Sequence, residues 1–492
     1  MIVEILGARM LAPYVGTSHF VWTAQIAVTM VALATGYYAG GWLVDRSPRL
    51  YQLYGCILAA AIYLCVSVLF VEPVAYWCLG FKLVVGSLLA SAALFFAPLS
   101  LLAMVGPFFV RVLTVSVSGV GGNVGRLTAI STLGSVLGTV LIGYVLIPFF
   151  PNSTTMLMTM GILVAVSAGY LVFGPKEDRQ PAAGAAGIIL GALLVGAVMR
   201  WEQVHRLPEM NELYRGNSNF GMLQVIEVEN GARRYYLNDY LTQNTYSPAQ
   251  KQSLSMFTYT LHGLARAYTP AIRDVLCIGM GVGIVPMQFA QEGARVDVVE
   301  INPAVVPLAQ RYFDCQPERF RLTIADGRQF VNQCGKEYDA IILDAFLGDS
   351  CPSHLMTREA FRGMQRCLRP EGTLVINTFA GLEAGRDFFG ASLDQTLKKV
   401  FREVRIHAAG NGNVFFVASN RPELTLLHPP SFDHIPDSVR YRVEQAFEKI
   451  EQTRPEHGIV LTDNFNPVEF YDAANREETR RSLALGMQPS RP

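Results

Sequence analysis

Two hydrophobic textures divide the chain: long unbroken apolar runs in the first 200 residues, then short apolar runs set between polar, helical patterns. Runs at 20–44, 51–71, 76–97, 127–150 and 155–173 each approach or exceed the ~20 residues that a bilayer crossing needs, so five crossings are expected. Residues 1–12 are apolar but too short to cross, and they lack the basic start and cleavage site of a secretory signal. Two stretches are ambiguous: 99–113, which follows Pro98, contains Pro107 and closes at Arg111, and the Gly/Ala-rich run 185–200. Arg46 with Arg49, Arg111 with Arg126, and Lys176 with Arg179 mark three loops as cytoplasmic, whereas the loops near Glu72 and at 148–151 carry almost no positive charge. A further crossing at 185–200 would carry the rest of the chain to the opposite side. Glycines at 119–125 and 134–138 fit close helix packing. Glu4, Arg9 and Lys82 fall at or within apolar runs, where a charge either lines a path or sits near a helix end and snorkels to an interface. The second reading is the plainer one.

Beyond Arg200, residues 220–228 and 233–237 flank Glu229-Asn230-Gly231 and read as a β-hairpin. From Asp274 onward, apolar strands at 275–278, 296–299, 322–324, 340–343 and 373–377 alternate with helical patterns such as 303–312 and 357–367, predicting a doubly wound parallel sheet. Strands at 404–407 and 414–418 enclose Gly410-Asn411-Gly412-Asn413 and predict a closing antiparallel hairpin. The expected architecture is a helical multi-pass membrane domain over 1–200, a small β-hairpin module over 201–270, and an α/β domain of the class I methyltransferase-like (Rossmann-like) kind over 271–492.

Composition sharpens that division. The protein is 51% hydrophobic and only 16% charged, against about 25% charged in ordinary soluble domains. Residues 1–200 hold nine Lys/Arg and five Asp/Glu, leaving 31 and 35 for the remainder, so a net charge of zero hides an excess of opposite sign in each half. A mildly acidic soluble half argues against nucleic acid as a partner and suits a cationic substrate. Eight cysteines form no C-x-x-C pair and have no histidine at ligand spacing, so neither a zinc site nor a disulfide framework is indicated.

Candidate chemistry gathers at the strand ends. The first strand runs into Gly279-Met280-Gly281-Val282-Gly283-Ile284, where glycines allow a tight turn and close backbone approach at a helix start. A dinucleotide fingerprint would want its third glycine at 284, where isoleucine stands. Glu300 ends the next strand, Asp326-Gly327 follows the third and Asp344 ends the fourth. A single acid there would be a helix cap. Three of them converge on the crevice where open α/β sheets bind ligands, which points to an adenosyl-sulfonium site.

These residues resemble the spermidine synthase family of aminopropyltransferases, in the branch with an N-terminal membrane domain. Leu237-Asn238-Asp239-Tyr240-Leu241-Thr242-Gln243 is similar to the family's L-D-G-x-x-Q segment, and Phe257-Thr258-Tyr259 to the segment with its active-site tyrosine. Val299-Glu300-Ile301-Asn302 resembles the ribose-binding segment, Ala325-Asp326-Gly327 the G-D-G turn, and Leu343-Asp344-Ala345-Phe346 the strand with the catalytic aspartate. Leu461-Thr462-Asp463-Asn464-Phe465-Asn466-Pro467 is similar to the membrane branch's L-T-D-D-x-x-P, and 4–16 and 36–46 to its first loops.

The resemblance implies attack by an amine on the carbon next to the sulfonium of decarboxylated S-adenosylmethionine, releasing methylthioadenosine and lengthening a polyamine, with no metal. Asp344 would be the base and Tyr259 its orienting partner. Gln243, Gly279, Gly281, Gly283, Glu300, Asp326 and Gly327 would hold the nucleoside, and Asp349 and Asp463 the polyamine. A homodimer is admitted, and the soluble half is expected on the cytoplasmic side of the inner membrane, where the cosubstrate is made. The chain departs from the family where Val282 replaces an aspartate of the glycine turn, Leu347 the second acid of D-x-x-D, Thr260 and Leu261 a polar pair, and Asn464 the second acid of L-T-D-D. Two alternatives stay open: another S-adenosylmethionine-dependent enzyme, a methyltransferase or lyase, and a non-enzymatic sensor coupled to a membrane carrier.

Overall fold

A computed structural model describes residues 1–16, 19–114, 119–204, 210–346, 352–410, 412–471 and 475. The chain divides near residue 208 into two compact units.

The first unit is helical. A short helix, Ile2–Val15, precedes six helices that are long and apolar enough to cross a membrane: Phe20–Arg46, Leu50–Cys78, Leu83–Leu113, Val120–Phe149, Asn152–Phe173 and Pro181–Arg200. The apolar run 76–97 is split, because the chain turns after Cys78 and restarts beyond Lys82, which is exposed in extended conformation at the next helix start. The stretch 99–113 continues that restarted helix. Pro98 and Pro107 fall in the first turns of new helical stretches, after a π-turn at Ala92–Phe96 and after Met104, where a missing N–H costs least. The run 185–200 is helical as well, and its 20-residue span reaches about 30 Å.

Close glycine packing occurs elsewhere than expected. The helix Val120–Leu141 buries none of its residues, and Gly121, Gly125 and Gly134 face open space among the described residues. Helices instead approach at Gly36, where a Cβ would strike the Ser100 carbonyl oxygen, and at Gly40, against Met104. Glycine spacing marks a surface that permits close approach; it does not say which helix arrives.

The second unit contains two sheets. The first joins β1 (Asn211–Ser218), β2 (Gly221–Val228), β3 (Arg233–Asn238), β4 (Leu241–Ser247) and β5 (Gln252–Ser253) in sequential order. The expected hairpin is β2–β3, turned at Asn230 and Gly231 with positive φ. Its flanking strands are polar and lack a clean alternation of apolar and polar residues. The second sheet holds β6 (Asp274–Ile278), β7 (Arg295–Glu300), β8 (Arg321–Ile324), β9 (Tyr338–Leu343), β10 (Leu368–Phe379), β11 (Glu403–Ala408), β12 (Asn413–Ser419) and β13 (Ile450–Glu451). Its order is β13-β11-β12-β10-β9-β6-β7-β8, with β6 to β10 parallel and β12 antiparallel to both neighbours. That is the class I methyltransferase-like arrangement. Leu223, Val225, Tyr236 and Tyr246 of the small sheet join one core with Val275, Val298 and Phe415, and the Asn302 amide donates to Ser218 Oγ at 3.0 Å.

Candidate active site

Strand register builds the site. Ile278 pairs with both Val299 and Leu343, and Leu343 pairs with Ile376. One residue further on, the row across β7, β6, β9 and β10 reads Glu300, Gly279, Asp344, Asn377. It straddles the point where strand order reverses, between β6 and β9, at the carboxyl ends where open sheets bind ligands.

The turn after β6 needs its glycines. Gly279, Gly281 and Gly283 have φ of 93°, 52° and 84°. A Cβ at Gly279 would strike the Asp344 carbonyl oxygen, and one at Gly281 would lie 3.2 Å from Asn244 Oδ1. The turn opens the helix Ile284–Gln291, and beside it is a cleft lined by Asn244, Phe257, Thr258, Met280, Val282 and Asp344 among others. Val282, where the resemblance implies an acid, is buried.

The acids differ in their surroundings. Glu300 is buried, with the Met280 N–H donating to Oε2 at 2.9 Å and the Asn302 N–H to Oε1 at 2.8 Å. Burial raises its pKa, and the N–H donors work against that rise. Each oxygen keeps a lone pair for a further donor. Asp326 caps the helix Gly327–Asn332 by accepting from the Gln329 N–H at 3.0 Å, and its other oxygen meets His354 Nε2 at 2.9 Å. Burial pushes Asp326 up, but the Gln329 N–H and His354 hold it below the ordinary carboxylate range. Gly327 begins that helix against β6, since a Cβ there would lie 2.5 Å from Ile278 Cγ2.

Asp344 is half-buried, and its Oδ1 accepts from the Asn377 side-chain amide at 2.9 Å. Burial pushes its pKa up to about 6 despite the opposing pull of that amide. The Asn377 Oδ1 in turn accepts from Asn413 at 3.0 Å. Asn377 was legible in principle: it closes the expected strand 373–377, where the rule that singled out Asp344 applies equally. Asn244 and His354 carried no such signal, because neither ends a parallel strand.

Tyr259 and Asp463 have hydrogen-bond partners outside the strand-end row. Tyr259, buried on the helix Met256–Tyr268, donates its hydroxyl to the Ser253 carbonyl at 2.9 Å, and burial raises its pKa to about 12. Its proton is thus committed to the backbone and not to Asp344. Gln243 is the extra residue of a β-bulge in β4, between Thr242, opposite Leu237, and Asn244, opposite Tyr236; such bulges re-aim side chains beside sites. Asp463 accepts from Thr357 Oγ1 at 2.6 Å and pairs with Arg328 at 2.9 Å, so it fastens the C-terminal segment to neighbouring helices. Asp349 lies outside the described residues.

Part of the second unit is similar to known proteins. Residues 255–410 match the family model described as "Spermine/spermidine synthase domain". A polyamine aminopropyltransferase of Vibrio vulnificus is 40% identical over 127 residues, covering 25% of this chain and 42% of that protein. An N-terminal histidine N-methyltransferase of Emericella nidulans is 34% identical over 153 residues, covering 30% of this chain and 26% of that protein. Spermidine synthase from Thermotoga maritima superposes with a TM-score of 0.38 at 21% identity, over 43% of this chain and 74% of that one. The chain spans about a quarter to two fifths of the length of these two curated relatives. It carries a spermidine-synthase-type domain after an apolar helical unit.

Proposed function

We propose that the soluble unit transfers an aminopropyl group from decarboxylated S-adenosylmethionine to a polyamine and releases methylthioadenosine. The observation that carries this reading is the row Glu300, Gly279, Asp344, Asn377 at the switch point of the sheet. Glu300 would accept from both ribose hydroxyls, Asp326 would meet the adenine edge beside Gly327, and Gly279, Gly281 and Gly283 would let the backbone approach the ligand. The sulfonium supplies a carbon ready for displacement: the amine nitrogen forms the new bond, the carbon–sulfur bond breaks, and sulfur leaves as a neutral thioether. The proton shed by the nitrogen goes to Asp344. A carboxyl raised to about 6 is ionised at neutral pH and still basic enough to accept that proton. Asn377 holds the carboxylate in place. Tyr259 and Gln243 would wall the site, and Asp349 would meet the acceptor amine. Asp463, engaged by Arg328 and Thr357, positions its segment instead.

The protein would act as an integral membrane enzyme. Six crossings with the three basic loops inside would leave the soluble unit on the far side, whereas a cosubstrate made in the cytoplasm calls for the near side and an odd number of crossings. We take the cytoplasmic side, and a reporter fused to the C-terminus reads it directly.

A second reading, a methyltransferase or lyase using intact S-adenosylmethionine, rests on Val282, since no carboxylate there would repel a carboxylated ligand, and on the match to a histidine methyltransferase. Incubation of the purified full chain with decarboxylated S-adenosylmethionine and putrescine or spermidine should yield methylthioadenosine. No product with any di- or triamine, together with tighter binding of the carboxylated nucleoside, would favour the second reading.

A further inference from the structure

The helical unit contains polar groups that its own structure does not use. Gln25, in the helix His19–Arg46, is fully buried, and among the described residues neither its Oε1 nor its Nε2 has a hydrogen-bond partner. The hydroxyls of Ser87 and Ser91, fully buried in the helix Leu83–Ser91, are in the same condition. A serine in a helix ordinarily bonds the carbonyl four residues back, and in hydrocarbon an unsatisfied polar group is costly, so such groups mark binding or transport positions.

Gln25 and the segment that follows the two serines meet at Gly7. A Cβ at Gly7 would stand 2.9 Å from both Gln25 Nε2 and Phe95 Cε2. Ser87, Ser91 and Phe95 follow one another at four-residue spacing along one side of their helix. Gln25 is about 9 Å and Ser91 about 12 Å from the first residue of its helix, and alternating crossings bring both helices in from the same side. Glu4, half-buried, is one turn before Gly7 on the short helix Ile2–Val15. A second feature points to the same place. Directly after Ser91 the helix opens into the π-turn Ala92–Phe96, whose Ala93 and Leu94 carbonyls accept from the Tyr63 hydroxyl at 2.5 Å and Ser67 Oγ at 2.9 Å. Turns of this kind cluster at functional sites.

We propose that Gln25, Ser87 and Ser91, with Glu4 as counter-charge, form a binding site for an alkylammonium group inside the helical unit, separate from the cleft at the sheet. An ammonium brings three N–H donors and no acceptor. Gln25 Oε1 and the two serine oxygens are acceptors without a donor, and a single carboxylate balances the charge that the bilayer would otherwise reject. An uncharged solute would have no use for Glu4, and an anion would be repelled by it.

Equilibrium binding of radiolabelled putrescine to the full chain in phospholipid nanodiscs tests this. Gln25→Leu should lower the number of putrescine molecules bound per chain by one while methylthioadenosine binding stays within twofold. The double variant Ser87→Ala/Ser91→Ala, which changes little volume, should weaken the same binding event about tenfold and guards against misfolding of the first variant. An unchanged count in Gln25→Leu, especially with a higher melting temperature, would show an amide that is merely unsatisfied and would overturn the proposal, as would unaltered binding in the double serine variant. The count does not depend on turnover: a chain that makes no methylthioadenosine yet loses one putrescine on Gln25→Leu still supports the site.

Discussion

Glu300 and Asp344 end strands separated only by β6, yet they keep different company. Both oxygens of Glu300 are anchored by backbone N–H groups at 2.8–2.9 Å. Asp344 has a side-chain amide on one oxygen and a pKa lifted by burial. In the proposed function the first would serve as a fixed grip and the second as the group that takes a proton. Asp463 extends the contrast, since an ion pair with Arg328 and a bond from Thr357 make it a structural fastener, whereas Asp326 caps a helix with one oxygen and meets the exposed His354 with the other. Proximity in sequence to a family motif does not distinguish these roles; hydrogen-bond partners do.

The contrast breaks most visibly at Asp344. Asp344→Asn should lower kcat by about 10²- to 10⁴-fold, the usual worth of a general base, while calorimetry shows nucleoside affinity changed less than threefold. A matching loss of affinity would make Asp344 part of the grip. Glu300→Gln should do the reverse, weakening methylthioadenosine binding about 10- to 100-fold, ~1.5–3 kcal/mol for bonds to a charged group. Some stability should go with it, because an amide cannot accept from both the Met280 and Asn302 N–H groups.

The pH profile sharpens the assignment of the base. As the proposed base Asp344 would act deprotonated, and its pKa is raised to about 6, so kcat should be level above that value and fall about tenfold per pH unit below it. A break near 4 would mean that its carboxyl is not desolvated in the working enzyme. The smallest effect is expected at Asp463. With half of that side chain exposed, Asp463→Asn should cost within about 1 kcal/mol in stability, read as a small drop in melting temperature, and leave KM for the amine within twofold. A tenfold rise in KM would return it to the acceptor site.

Much of the α/β fold was legible because buried parallel strands read as short continuous apolar runs. The strand cores at 275–278, 296–299 and 340–343 are all recovered, extended by a residue or two at one or both ends. The small sheet was only half legible: Thr242-Gln243-Asn244-Thr245 is too polar to announce a strand, and its pairing comes from β3. In the helical unit, Pro98 and Pro107 hid a 31-residue helical span because a proline's effect depends on which turn it occupies. At the site, the acids at strand ends could be named in advance, but their partners could not. Asn377 reaches Asp344 through the register of β9 and β10, and His354 reaches Asp326 across 28 residues. Both facts are set by tertiary contact.

The central claim is that decarboxylated S-adenosylmethionine would lie over the ends of β6, β7 and β9. Mass spectrometry of nucleosides co-purified with the gently isolated full chain tests it most directly: decarboxylated S-adenosylmethionine or methylthioadenosine should appear, and should vanish from Glu300→Gln preparations. Recovery of S-adenosylhomocysteine, or of a nucleoside indifferent to Glu300→Gln, would contradict it.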